Sequence, residues 1–238
     1  MIRRVILIFE LNGLPGCGKT TLRNEICKKY LSASSVGVAD FRGEGKSKTD
    51  KMFVRMKRFL IQFTPANLGL YHVLKKMMRN SKTIGSLKVC NPYEKAITVM
   101  YIVYLYNAYR KAGDNLLFAD EGLVQSLTTC CSQMEIDNSS LEATLQYFKS
   151  VSEKIIVINC ECNLDTSLQR ITERNRNDSA IDQLDSNELL FFLERYEEKL
   201  LSTRKAIKKI CRQSISLEME DEDSNLAKKL VVKIKECL

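Results

Sequence analysis

The chain has 238 residues, 45% of them apolar, which is enough for one substantial core and a single domain spanning 1–238. Ten glycines and three prolines exclude long linkers. Nine scattered cysteines without a C-x-x-C pair, and a single histidine, His72, exclude a disulfide framework and a structural zinc site. Free thiols in a reducing cytosol are expected instead. The net charge of +8 is concentrated between Phe41 and Lys95, where thirteen Lys/Arg face three acids. Such a basic segment either meets an anionic partner or forms a solvated, lysine-rich face.

In chain order, Val5 to Leu11 is a continuous, β-branched apolar run, as in a parallel strand covered on both faces. It is too short for a signal peptide, and Glu10 interrupts it. The sequence Gly13-Leu14-Pro15-Gly16-Cys17-Gly18-Lys19-Thr20 follows, and Thr20 to Tyr30 reads as a helix. Val36 to Ala39 is a second strand ending at Asp40. Lys51 to Gln62 and Leu70 to Met78 read as helices separated by Pro65.

From Tyr93 to Lys111, apolar and tyrosine residues recur at helical spacing on more than one face, predicting a helix buried nearly all round. It packs in the core or pairs two subunits, and a homodimer is one expectation. Its apolar stretch, Ala96 to Ala108, is about half to two-thirds of a membrane span and does not read as an anchor. Leu116 to Ala119 is a third strand, followed by Asp120-Glu121-Gly122 and helices over Leu123 to Gln133 and Ser139 to Ser150. Ile155 to Ile158 is a fourth strand. A helix over Asn163 to Arg174 is capped by Asn163. A polar segment runs to Asp185. Ser186 to Ile210 is a long helix, Ile215 to Leu217 a fifth strand, and Ser224 to Cys237 a closing helix.

Strands alternating with helices specify an α/β fold, a three-layer sandwich with a parallel sheet of about five strands and a helical insert (41–112) between strands 2 and 3. Ligands then sit at the C-terminal strand ends, where the phosphate loop, Asp40 and Asp120 all fall. The glycine loop between strand and helix is a nucleotide-phosphate cradle. Gly13, Pro15, Gly16, Cys17 and Gly18 shape it, Lys19 neutralises the β- and γ-phosphates, Thr20 ligates Mg²⁺, and Thr21 reaches the α-phosphate. The expected ligand is ATP with Mg²⁺. Asp120 and Glu121 are candidate metal-side acids, the alternative being a helix cap. Asp40 is a candidate base for an acceptor hydroxyl, or a turn residue. Arg170, Arg174 and Arg176 are candidates for closing over the transferring phosphoryl within a lid at about 170–185, or else surface residues paired with Asp165 and Glu173.

On these residues the chain resembles the P-loop nucleoside and nucleotide kinases, nearest to thymidylate kinase and the deoxynucleoside kinases. The likeness rests on Glu10 to Thr21, on the acids after the third strand, and on Arg170-x-x-x-Arg174-x-Arg176 after the fourth. It implies a mobile lid bringing Arg174 and Arg176 over ATP, and an acid at Asp40 or Asp120 supporting the acceptor. Asp120-Glu121-Gly122 departs from the family's acid-then-arginine pattern, which leaves the acceptor open. The expected activity is phosphotransfer from ATP to a nucleoside, nucleotide or other anionic small molecule by a cytoplasmic enzyme. The alternatives are a polynucleotide 5′-end kinase and a non-catalytic nucleotide-binding module docking a partner through its basic insert.

Overall fold

The computed structural model describes residues 7–29, 34–36, 47–83, 92–111, 117–119, 121–174, 181–219 and 225–237. Its centre is a five-stranded sheet of β1 (Ile8–Gly13), β2 (Ser34–Val36), β4 (Leu117–Ala119), β6 (Ile155–Glu161) and β7 (Gln213–Glu218). The order is β2-β4-β1-β6-β7 and every pairing is parallel. β1, the central strand, pairs with β6 over its full length, from Ile8–Ile155 to Gly13–Cys160.

Alternation along these strands feeds two apolar clusters, as a sheet covered on both faces requires. Ile8, Val157 and Ala119 belong to the first, with helices α3 (Pro65–Asn80), α4 (Pro92–Lys111), α5 (Leu123–Gln133) and α6 (Asn138–Ser152). Phe9, Leu11, Ile156, Ile158, Ile215 and Leu217 belong to the second, with α1 (Lys19–Lys29) and α9 (Leu226–Cys237). Phe9 and Phe118 stack at 5.5 Å between centroids. The long helix α8 (Ser186–Ile207) gives Leu189, Phe192, Leu193, Tyr196 and Leu200 to the second cluster and Ile207 to the first.

Helix starts follow their caps. Asn163 accepts the Thr166 N–H at 2.7 Å at the head of α7 (Leu164–Glu173), as its sequence predicts. Asp185 and Glu188 form a capping box on α8. Two boundaries differ from the sequence reading. α3 begins at Pro65 rather than Leu70, because proline suits the first helical position, where no N–H is needed. β2 is described over Ser34–Val36, and positions 37–39 of the expected strand lie outside the described residues. α8 ends at Ile207, where the chain turns toward β7. Helix α2 (Lys48–Ile61) lies within the predicted insert. A two-stranded antiparallel ladder, β3 (Lys82–Thr83) with β5 (Met134–Glu135), is too short to show as periodicity. No described helix is long and apolar enough to cross a membrane.

Candidate active site

β1 delivers the chain into a loop that only glycine can form at two points. Gly16 (φ 87°) and Gly18 (φ 95°) are in the left-handed region. A Cβ on Gly16 would also lie 2.8 Å from the Ser167 carbonyl oxygen and 2.9 Å from Ile171 Cγ1. Lys19 opens α1 and is 8% exposed. Its ammonium donates to the carbonyls of Gly13 (3.0 Å) and Leu14 (2.7 Å) and lies 3.5 Å from Cys17 Sγ. A buried ammonium beside loop backbone at a helix N-terminus is an arrangement that can hold an anion.

Neighbouring elements hold the loop from three sides. From α5, Gln125 accepts the Gly13 N–H at 3.0 Å, donates to the Gly13 carbonyl at 3.1 Å, and bonds the Tyr196 hydroxyl of α8. From α7, the Ser167 hydroxyl donates to the Pro15 carbonyl. Arg170 Nη1 donates to the Cys17 carbonyl at 3.3 Å. Beneath the loop, the Cys160 thiol donates to Cys17. That donation and the Lys19 ammonium hold the Cys17 thiol down at about 5 despite burial. Cys160, as the donor and buried itself, is pushed well up.

Two of the cavities beside the loop are lined by its glycines. One of about 330 Å³ is lined by Pro15, Gly16, Gly18, Lys19, Thr20 and Thr21 together with Glu121 and Arg174. The other, about 460 Å³, is lined by Gly16, Cys17, Gly18 and Thr21, with Arg170, Arg174 and Met219. Arg174 thus borders both, and Arg170 and Arg174 share a cavity as their four-residue spacing requires. Gly13 lies below, tied into β1. Asp40, Asp120 and Arg176 lie outside the described residues. No described group of three or more His, Cys, Asp and Glu side chains is placed to hold a metal ion. The Thr20 hydroxyl and the exposed Glu121 carboxylate border one cavity. That donor set suits Mg²⁺, which binds through one or two carboxylates, waters and substrate phosphates.

Four residues of this region have no assigned role in the sequence reading. Gln125, Tyr196 and Asp182 line the smaller cavity. Glu10, read as an interruption of an apolar run and as the first residue of the stretch that carries the resemblance, is fully buried in β1. Its carboxylate accepts the N–H groups of Leu123 (2.8 Å) and Val124 (2.9 Å), closing the N-terminus of α5. Burial pushes its pKa up, against those two donors and the neighbouring Tyr109.

No described residue of the basic insert lines either cavity. The insert instead exposes Met56, Phe59, Leu60 and Phe63. Phe59 and Phe63 meet edge to face at 5.1 Å, Phe63 lies 5.7 Å from Tyr71, and Lys75 sits 5.7 Å above the Tyr71 ring.

No protein-family model matches the chain, and no curated protein matches it. Solved structures do. Deoxyadenosine kinase from M. mycoides with bound dCTP is 15% identical over 97% of this chain and 100% of its own, with a TM-score of 0.53. The same enzyme with products dCMP and dCDP bound is 13% identical over 98% of this chain and 100% of its own, with a TM-score of 0.54. With dATP bound, the figures are 14%, 96% and 99%, with a TM-score of 0.52. The likeness extends over nearly the whole chain, which shares with these structures an α/β fold built on a parallel sheet.

Proposed function

We propose that this protein is an ATP- and Mg²⁺-dependent phosphotransferase acting on a small anionic acceptor. The observation that carries this reading is the Lys19 ammonium buried within a loop of left-handed glycines at the head of α1, with Glu121 and Arg174 across the same cavity. Lys19 and the loop N–H groups hold the β- and γ-phosphates, and Gly13, Pro15, Gly16, Cys17 and Gly18 give the loop its shape. Thr20, Glu121 and Asp120 would hold the metal, which would supply positive charge to offset that of the phosphates. Arg174, with Arg170 and Arg176, closes over the transferring group, where guanidinium charge stabilises the developing negative charge. Thr21 contacts the α-phosphate, and Asp40 orients the acceptor hydroxyl.

A nucleoside or nucleotide acceptor is the first class to test, because deoxyadenosine kinase has this fold. The exposed Phe59–Phe63–Tyr71 ladder with Lys75 favours a second acceptor, a nucleic-acid 5′ end, since aromatic faces and cations together suit unpaired bases. One experiment covers both. Labelled phosphate transfer from Mg·ATP is measured to a panel of nucleosides, nucleotides, phosphosugars and a 5′-hydroxyl oligonucleotide, with wild type and Lys19→Ala. One acceptor class is expected to be labelled, and the variant to lose at least about a thousandfold in rate. Turnover undiminished in Lys19→Ala refutes the mechanism. ATP binding without transfer to any acceptor points to a nucleotide-binding module instead.

A further inference from the structure

As α8 passes over the edge of the sheet it turns a basic face to β7. Leu201, Arg204, Lys205 and Lys208 recur at helical spacing on that face, and Ser214 and Ser216 alternate on the facing strand. Between them is a cavity of about 390 Å³, which also takes in Arg212, Asn12 and Asn159. None of its lining residues lines either of the two glycine-lined cavities beside the phosphate loop. Among the described residues its rim and walls carry four cations and no carboxylate.

The floor is polar and incomplete. Asn12 is fully buried, yet neither its amide oxygen nor its amide nitrogen has a hydrogen-bond partner. Asn159 stands beside it in the β1–β6 register, and its Oδ1 is likewise unpartnered. Above them, Arg204 Nη2 donates to the Asn12 carbonyl at 3.4 Å while its Nε has no partner. Buried amide and guanidinium groups are costly unless something completes them, and all three residues line this one cavity. Their chemistry restricts what fits. Arg204, Lys205, Lys208 and Arg212 call for an anion. The oxygens of Asn12 and Asn159 call for hydrogen-bond donors, which a bare phosphate dianion does not supply and hydroxyl groups do.

We propose that this cavity is a second ligand site, taking a phosphorylated polyol of about sugar-phosphate size. Its phosphate lies among Arg204, Lys208 and Arg212, and its hydroxyls on Asn12 and Asn159. The volume is that of a small-molecule pocket. The site does not depend on the nucleotide reading of the phosphate loop, because the two share no lining residue.

Calorimetric titration with ribose 5-phosphate, inorganic phosphate and ribose tests it, with and without a non-hydrolysable ATP analogue. Wild type is compared with Lys208→Ala/Arg212→Ala, two exposed positions outside the phosphate-loop machinery. Ribose 5-phosphate is expected to bind more tightly than phosphate, and ribose not to bind. The double variant is expected to weaken ribose 5-phosphate at least about tenfold. The variant-sensitive event should persist when the ATP analogue is present. Asn159→Leu should weaken ribose 5-phosphate while sparing phosphate. Equal affinity in wild type and the double variant, no binding of either anion, or loss of the event on adding the analogue overturns the proposal.

Discussion

Gly122 is where a single methyl group tests the internal architecture of this protein. Its backbone (φ −79°, ψ −170°) is open to any residue, so alanine there carries no conformational penalty and, in open space, would stabilise by about 0.4–1 kcal/mol. The space is not open. A Cβ at Gly122 would sit 2.2 Å from Glu10 Cδ and 2.5 Å from Glu10 Oε1. Glu10 is fully buried, so its carboxylate has no route to water. Gly122→Ala therefore pushes the carboxylate off the N–H groups of Leu123 and Val124. A hydrogen bond to a charged group is worth about 1.5–3 kcal/mol, so losing two costs about 3–5 kcal/mol after partial relaxation. For a chain of this length that lowers Tm by roughly 6–20 °C. Urea and thermal unfolding of wild type, Gly122→Ala, Glu10→Ala and the double variant measure it. Once Glu10 is gone the added methyl has room, so the two changes should be non-additive by at least about 2 kcal/mol. A Gly122→Ala protein within about 0.5 kcal/mol of wild type, or additive costs, refutes the reasoning.

The same carboxylate sets a pH dependence. Because burial raises its folded pKa above the unfolded value, its contribution to stability is fully present below the unfolded pKa. That contribution is lost as pH rises through the folded pKa. The stability difference between wild type and Glu10→Gln should therefore be largest in acid and shrink from about pH 4 upward. A difference that grows with pH would contradict a raised pKa.

Two further predictions concern the loop itself. Gln125→Leu strips the Gly13 N–H of its acceptor and the Tyr196 hydroxyl of its partner. It should cost about 1–3 kcal/mol in urea unfolding and weaken Mg·ATP binding by thermal shift. Unchanged values in both would show that Gln125 does not position the loop. Cys17, held at about 5, should contribute one thiolate absorbance that persists to near pH 5 and is missing in Cys17→Ser. An identical titration in the variant removes the Cys17–Lys19 charge pair from the account.

The elements whose residues are neighbours in sequence were readable without coordinates. β1, the glycine loop and α1 are contiguous, and each carries its own signal: an apolar run, a phosphate motif, a helical span. β4, β6 and β7 showed as short apolar runs, and the Asn163 cap showed because a cap acts over three residues. Even the pairing of Arg170 with Arg174 across one cavity follows from helix geometry. What tertiary structure decided lies between residues far apart in the chain. The Gln125–Gly13 clamp spans 112 residues, the Glu10 cap on α5 spans 113, and the approach of Arg204 to Asn12 spans 192. No local periodicity encodes such contacts, so Glu10 reads in sequence as a polar flaw in a strand and Gly122 as a turn. Propensity and burial pattern specify which segments form strands and helices. Which buried polar groups meet is decided only when the sheet stacks β6 beside β1 and lays α5 and α8 across them, because each such group must find its partner in that packing.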